Sequence, residues 1–265
     1  MEAAAMNRKY FLILLIGGAL LFFPFLGSVH LFDWDEINFA ESAREMLVSG
    51  NYTRVQINYQ PFWEKPPLFF WLQAASMKIF GVNEYAARFP NALLGVITLL
   101  TFYFIGKKFY DEKFGFVWAL CYAGSFLPFL YFKSGIIDPW FNYFIFLSVY
   151  FLALSLNVQN DKVTRRFIYS GIFAGLAILT KGPVAFLIIL LTVLVFLVIK
   201  RFKISLSVKN IFYFLITVFA VSFLWFGFET IKNGQWFLIE FISYQIRLFS
   251  TPDAGHAQPF YYHFS

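Results

Sequence analysis

The chain is built from long apolar runs separated by short polar punctuation. A helix that crosses a bilayer needs about 20 mostly apolar residues. Seven stretches approach that length, at approximately 10–27, 86–106, 114–132, 137–157, 166–181, 184–200 and 210–229. Read as one helix, the fifth and sixth would run from Phe167 to Ile199 and measure about 50 Å at 1.5 Å per residue, which overshoots a bilayer. Gly182-Pro183 is therefore expected to turn the chain between two spans. The pattern predicts an all-α integral membrane fold in which residues 1–265 form one helix-bundle domain.

The rhythm breaks between the first and second spans. Residues 28–84 form a connection far longer than a helical hairpin needs, and long ordered loops are usually functional. Within it, Glu36 to Val48 places Ile37, Ala40, Met46 and Leu47 on one side and Glu41, Arg44 and Glu45 on the other, the pattern of an interfacial amphipathic helix. Pro67 to Phe80 is apolar but too short to span, and its leading prolines suit a helix start. It is expected to lie along the membrane surface or dip into it. After the last span, Trp236 to Phe249 reads as a further surface helix within an outer loop, 230–265.

Composition strengthens the membrane reading. The chain is 60% apolar and 23% aromatic with 14% charged residues, against roughly half apolar and a quarter charged in soluble domains. The net charge of +6 comes from the cytoplasmic side if the N-terminus is inside. Arg8, Lys9, Lys107, Lys108, Lys113, Lys162, Arg165, Arg166, Lys200, Arg201, Lys203 and Lys209 then face four acids there, while the outer segments hold nine bases and eleven acids. This is the positive-inside distribution. The basic total is orientation charge, and nucleic acid is excluded as a partner. Cys121 is the single cysteine, so an internal disulfide and a cysteine zinc cluster are excluded as well. The first run lacks a small-x-small cleavage site and is read as a retained span.

The chemically dense segments lie in the outer loops. In Asp33-Trp34-Asp35-Glu36, Asp33 and Glu36 have the spacing of an acidic capping box. Alternatively, Asp35, with Asn38 and Ser42 on the same helical face, presents a carboxylate to a cavity above the membrane, where it stabilises charge or takes a proton from an acceptor hydroxyl. In Phe62-Trp63-Glu64-Lys65-Pro66-Pro67, Pro66 forces Lys65 to be extended. The result is either an exposed ion pair on a rigid turn or an ammonium beside a helix N-terminus, ready for a phosphate at headgroup level. Asp138-Pro139 opens the fourth span as a cap and first-turn proline, and an acid at a bundle mouth faces water or a partner. Lys181 ends the fifth span before Gly182-Pro183, Arg247 is a second candidate phosphate contact, and His256 is either a solvated loop residue or, with Glu64, a ligand of a divalent ion such as Zn, Mg or Mn.

These motifs, in this order and joined by Pro259-Phe260-Tyr261-Tyr262 after His256, resemble the membrane glycosyltransferases of the GT-C type. More narrowly, the chain is similar to the bacterial relatives of the protein O-mannosyltransferases and of the lipid A aminoarabinose transferase. The resemblance implies inverting transfer of a sugar from a polyprenyl-phosphate-linked donor to a lipid, glycan or protein acceptor, at the periplasmic face of a bacterial inner membrane. It implies catalytic roles for Asp35, its neighbour Glu36 and the second cavity acid Asp138, and a donor-phosphate grip by Lys65 and Arg247, with Asn38 and Lys181 lining the cavity. Glu64 and His256 match its metal site. One departure is Asn38, which stands where the aminoarabinose enzymes carry an arginine. Family members also continue beyond the point matching Ser265, so a fragment is expected. A secondary transporter, which would place broken or charged helices near the bilayer midplane, and a noncatalytic docking protein of the envelope are the alternative functions.

Overall fold

The computed structural model describes residues 8–32, 34–62, 64–156, 162–203 and 207–250. The elements run α1 (Arg8–Phe22), α2 (Asp35–Ser49), β1 (Gln56–Ile57), β2 (Gln60–Pro61), α3 (Leu68–Phe80), α4 (Glu84–Phe109), α5 (Glu112–Ala123), α6 (Phe126–Phe132), α7 (Asp138–Leu156), α8 (Lys162–Lys181), α9 (Val184–Ile199), α10 (Val208–Asn233) and α11 (Trp236–Ser250). Two helices among the described residues, α4 and α10, are long and apolar enough to cross a membrane, and α5 with α6 would make a third as a broken span.

Three boundaries depart from the sequence expectation. The first helix stops at Phe22 rather than near residue 27, because Pro24 has no N–H for a continuing helix. The expected span 114–132 is two helices bent by 74°. Gly124 ends α5, Ser125 starts α6, and Pro128 sits in the first turn of α6, where a missing N–H is tolerated. The third departure is in α2, whose buried stripe is Glu36, Phe39, Ala40, Ala43 and Met46, together with Ser42 and Glu45. Ile37, on the expected apolar side, is 46% exposed, whereas Glu45, on the expected polar side, is fully buried. Its Oε2 accepts the Tyr59 N–H at 2.9 Å, while Oε1 is buried and accepts no hydrogen bond from the described residues. The accepted hydrogen bond pins the β1–β2 hairpin, whose turn residues Asn58 and Tyr59 have φ of 52° and 58°.

The bundle is assembled differently at different depths. Between α8 and α10 the contact depends on small residues. A Cβ on Gly171 would lie 2.8 Å from the Phe214 carbonyl oxygen, and one on Gly175 2.6 Å from Val221 Cβ. A Gly-x-x-x-Gly face of this kind lets two helices approach closely where lipid offers no hydrophobic gain from association. Across α7 and α8, Ser148 and Ser170 hydroxyls pair at 2.9 Å. At Gly182 the backbone turns with φ of +91°, which glycine adopts without strain, and α8 gives way to α9.

At one end of the bundle, an apolar floor is contributed by several separate elements. Phe39 and Met46 from α2, Phe69 and Phe70 from α3, Leu179 from α8, Trp225 from α10 and Phe237 from α11 pack together with Val55 and Ile137. The Trp225 indole N–H also donates to the Thr53 carbonyl at 2.7 Å, tying α10 to the long loop.

Candidate active site

The charged residues singled out from sequence gather beside this floor. Asp35 is the first residue of α2 and is exposed, and its carboxylate accepts no hydrogen bond from the described residues. The preceding residue, Trp34, holds φ +74° and ψ −95°, a conformation costly for any residue with a Cβ. Such strain persists only where the surroundings enforce it. Here the next peptide enters α2, and Glu36 folds back to accept the Phe32 N–H at 2.7 Å. The side chain of Trp34 does not cap the helix, and Asp33 lies outside the described residues.

Lys65 is half-buried in the turn before α3. Burial pushes its ammonium below the usual lysine range; Glu64, Asp35 and Asp138 pull it back up, and Lys181 pushes it further down. These influences identify its neighbours: five charged residues from α2, the 64–67 turn, α7 and α8 share one electrostatic environment. Asp138 opens α7 and accepts a hydrogen bond from Lys181 Nζ at 2.6 Å. Each partner also sits at the helix end that its charge favours, the acid at an N-terminus and the base at a C-terminus. Lys181 lies 5.5 Å from the Phe141 ring centroid, which narrows its freedom further.

The second wall is α11. Tyr244 has Lys65 Nζ at 6.0 Å and Arg247 Cζ at 5.4 Å from its ring centroid, so one aromatic side chain is shared by both expected phosphate contacts. Gln245 donates to the Glu64 carbonyl at 3.3 Å and joins α11 to the same turn. Pro61, Phe62, Glu64, Glu240, Tyr244 and Arg247 surround a pocket of about 240 Å³ that Ser243 completes. Asn38 is placed elsewhere, in an open depression beside Glu41, Arg44 and Asn58. Ser42, expected to share the cavity face with Asp35, is buried.

Glu36 does not stand beside Asp35 as a second open acid. It is 1% exposed, and both oxygens are occupied by Arg88, whose Nε and Nη2 donate at 2.7 and 2.8 Å. Its Oε1 also accepts the Gly135 N–H. Arg88 uses its remaining donors on the carbonyls of Leu26, Val29 and His30 at 2.6 to 2.9 Å. A carboxylate so saturated has no lone pair left for a substrate proton, which corrects its expected place among the catalytic acids. Close by, Gln73 donates to the carbonyls of Ala87 and Gly135, and Asn91 to those of Ser134 and Ile136. The carbonyl oxygens of both amides are buried and accept no hydrogen bond from the described residues.

Among the described residues no group of three or more His, Cys, Asp or Glu side chains is disposed to hold a metal ion. His256 and the Pro259-Phe260-Tyr261-Tyr262 motif lie outside the described residues. Sequence reasoning missed Tyr244, Glu240, Arg88, Gln73 and Asn91. Of these, Arg88 alone left a signal, as a charge at the edge of an apolar run, where ionisable groups are seldom idle.

Known proteins resemble this chain along most of its length. An uncharacterized protein of Aquifex aeolicus is 29% identical over 96% of this chain and 50% of its own length. The undecaprenyl phosphate-alpha-4-amino-4-deoxy-L-arabinose arabinosyl transferase 2 of Pseudomonas fluorescens is 28% identical over 97% of this chain and 47% of its own. The chain thus spans about half the length of the curated relatives it matches. The crystal structure of ArnT from Cupriavidus metallidurans bound to undecaprenyl phosphate superposes with a TM-score of 0.76 at 19% identity, over 87% of this chain and 43% of that one. That likeness establishes the GT-C-like helical fold expected from the motifs. The model of the dolichyl-phosphate-mannose-protein mannosyltransferase family matches residues 64–227, more than half of the chain. The chain belongs to the dolichyl-phosphate-mannose-protein mannosyltransferase family.

Proposed function

We propose that the protein transfers a sugar, with inversion, from a polyprenyl-phosphate-linked donor to a lipid, glycan or protein acceptor, at the periplasmic face of a bacterial inner membrane. The observation that carries this reading is one charged cluster in which the exposed carboxylate of Asp35, with no hydrogen bond from the described residues, acts on the half-buried ammonium of Lys65. The relative of Pseudomonas fluorescens is named for an undecaprenyl-phosphate-linked sugar, and the Cupriavidus protein was crystallised with undecaprenyl phosphate. Both names agree with a lipid-linked donor.

In this reading Lys65 and Arg247, which share the Tyr244 ring, hold the donor phosphate. Asp35 accepts the proton of the acceptor hydroxyl as its oxygen attacks the anomeric carbon from the opposite face. The anomeric C–O bond breaks with its electron pair on the phosphate oxygen, and the charge that gathers there is met by the same cations. Asp138 and Lys181 form the far wall, and Glu36 acts through the backbone rather than on substrate. Glu64 and Glu240 present hard oxygen ligands in one pocket that would suit a divalent ion such as Mg, Mn or Zn. Such an ion, when bound, would neutralise phosphate charge.

The test is sugar transfer in proteoliposomes supplied with a panel of polyprenyl-phosphate sugars. Asp35→Asn is expected to lower turnover at least about a hundredfold, the usual worth of a positioned base, with folding intact. Full activity in that variant would remove Asp35 from the chemistry. Substrate accumulation inside sealed vesicles without any transfer would replace the enzyme reading with a transporter.

A further inference from the structure

We propose that the buried side chains of Glu36, Gln73, Arg88 and Asn91 form a positioning frame that grips the Ser134–Ile136 backbone and so fixes the start of α7, at Asp138, relative to the start of α2, at Asp35. This inference rests on the transferase reading and adds to it a set of residues that touch no substrate.

The grip is dense for so short a segment. Asn91 Nδ2 donates to the Ser134 carbonyl at 2.6 Å and to the Ile136 carbonyl at 2.7 Å. Gln73 Nε2 donates to the Gly135 carbonyl at 3.4 Å, while the Gly135 N–H donates to Glu36. Three consecutive residues are therefore held by side chains from α2, α3 and α4, each of them at most 1% exposed. Two residues later the chain enters α7 at Asp138.

The same Glu36 carboxylate follows Asp35 directly in α2 and takes the Arg88 guanidinium. One carboxylate thus fixes the start of α2 and the approach to α7 together, and those are the two points from which the candidate acids project. Gly135 reports how close the fit is. A Cβ there would lie 3.2 Å from the Ala87 carbonyl oxygen, from Gln73 Nε2 and from Glu36 Cγ. Rigid supports of this type matter in enzymes because small displacements of a reacting group carry large rate penalties.

The experiment uses Asn91→Leu, which removes two anchors while keeping volume, with hydrogen–deuterium exchange over 134–138 and transfer kinetics measured on the same reconstituted protein. Exchange is expected to accelerate and kcat to fall about ten- to hundredfold, with donor KM and undecaprenyl phosphate affinity held within about twofold. An unchanged kcat would overturn the proposal. So would parallel losses in kcat, donor affinity and thermal stability, since a purely structural role produces that pattern. If Asn91→Leu does not fold, Gly135→Ala, which deletes no hydrogen bond, must show the same split between kcat and KM. If the wild type transfers no sugar from any polyprenyl-phosphate donor, the transferase reading fails separately. The frame is then judged by exchange alone, and unchanged exchange sinks it.

Discussion

The α8–α10 crossing and the active-site end of the bundle solve opposite problems. In the crossing, Gly171 and Gly175 allow α10 to come close, and the helices are held by packing, with one side-chain hydrogen bond from Thr164 to Asn210 at its end. At the other end, Glu36, Gln73, Arg88 and Asn91 are removed from solvent at considerable cost and hold backbone atoms in fixed places. The first arrangement needs only a small side chain at the right position. The second needs particular donors and acceptors, and two of its members leave a buried oxygen unpaired. Each amide spends its nitrogen on two backbone carbonyls while its own oxygen gains no protein partner among the described residues, so the contrast marks the polar end as the part of the molecule built to hold geometry.

The contrast is broken most severely at Glu36. Glu36→Ala leaves the Arg88 guanidinium without its carboxylate and is expected to destabilise the protein by about 3–5 kcal/mol, read as a large drop in melting temperature in detergent. At the crossing, Gly175→Val drives a branched side chain into Val221 and is expected to cost about 1–3 kcal/mol. Transfer per folded molecule should survive Gly175→Val, because the damage lies away from the charged cluster. A loss of kcat equal to that of Asn91→Leu would erase the distinction between the two regions.

The smallest effect concerns pH. Burial places the Lys65 pKa below the ordinary lysine value, so the ammonium loses its proton at a lower pH than a solvated lysine. Donor binding that depends on this charge therefore weakens as pH rises through the folded-state pKa, earlier than it would for a solvated lysine. Lys65→Arg keeps its charge at all accessible pH values. It is expected to move the alkaline rise in donor KM to higher pH while changing neutral-pH turnover by only a few-fold. An alkaline limb that does not move would assign the titration to another group.

Much of this organisation was legible in the sequence because it is local. Apolar runs mark the helices, Gly182-Pro183 marks a break, and Asp35, Lys65, Asp138 and Lys181 stand next to helix ends where charges are conspicuous. What stayed hidden depends on distant partners. Glu36 and Glu45 look like solvent-facing residues until Arg88, 52 positions away, and the Tyr59 amide are brought to them. Gln73 and Asn91 are single polar residues in apolar helices, and no periodicity states which backbone they will hold. Tyr244 was invisible for a similar reason: its meaning comes from the two cations that share its ring. The 74° bend after α5 escaped because Gly124-Ser125 is too slight a signal inside a strongly apolar run.

The central claim, that Lys65 and Asp35 serve one lipid-phosphate site with separate tasks, is tested most directly by titrating undecaprenyl phosphate against the wild type, Lys65→Met and Asp35→Asn. Lys65→Met is expected to weaken binding about ten- to hundredfold, the worth of a charge-assisted hydrogen bond. Asp35→Asn, which removes a nearby negative charge, should bind at least as tightly as the wild type. Wild-type affinity in Lys65→Met would contradict the account.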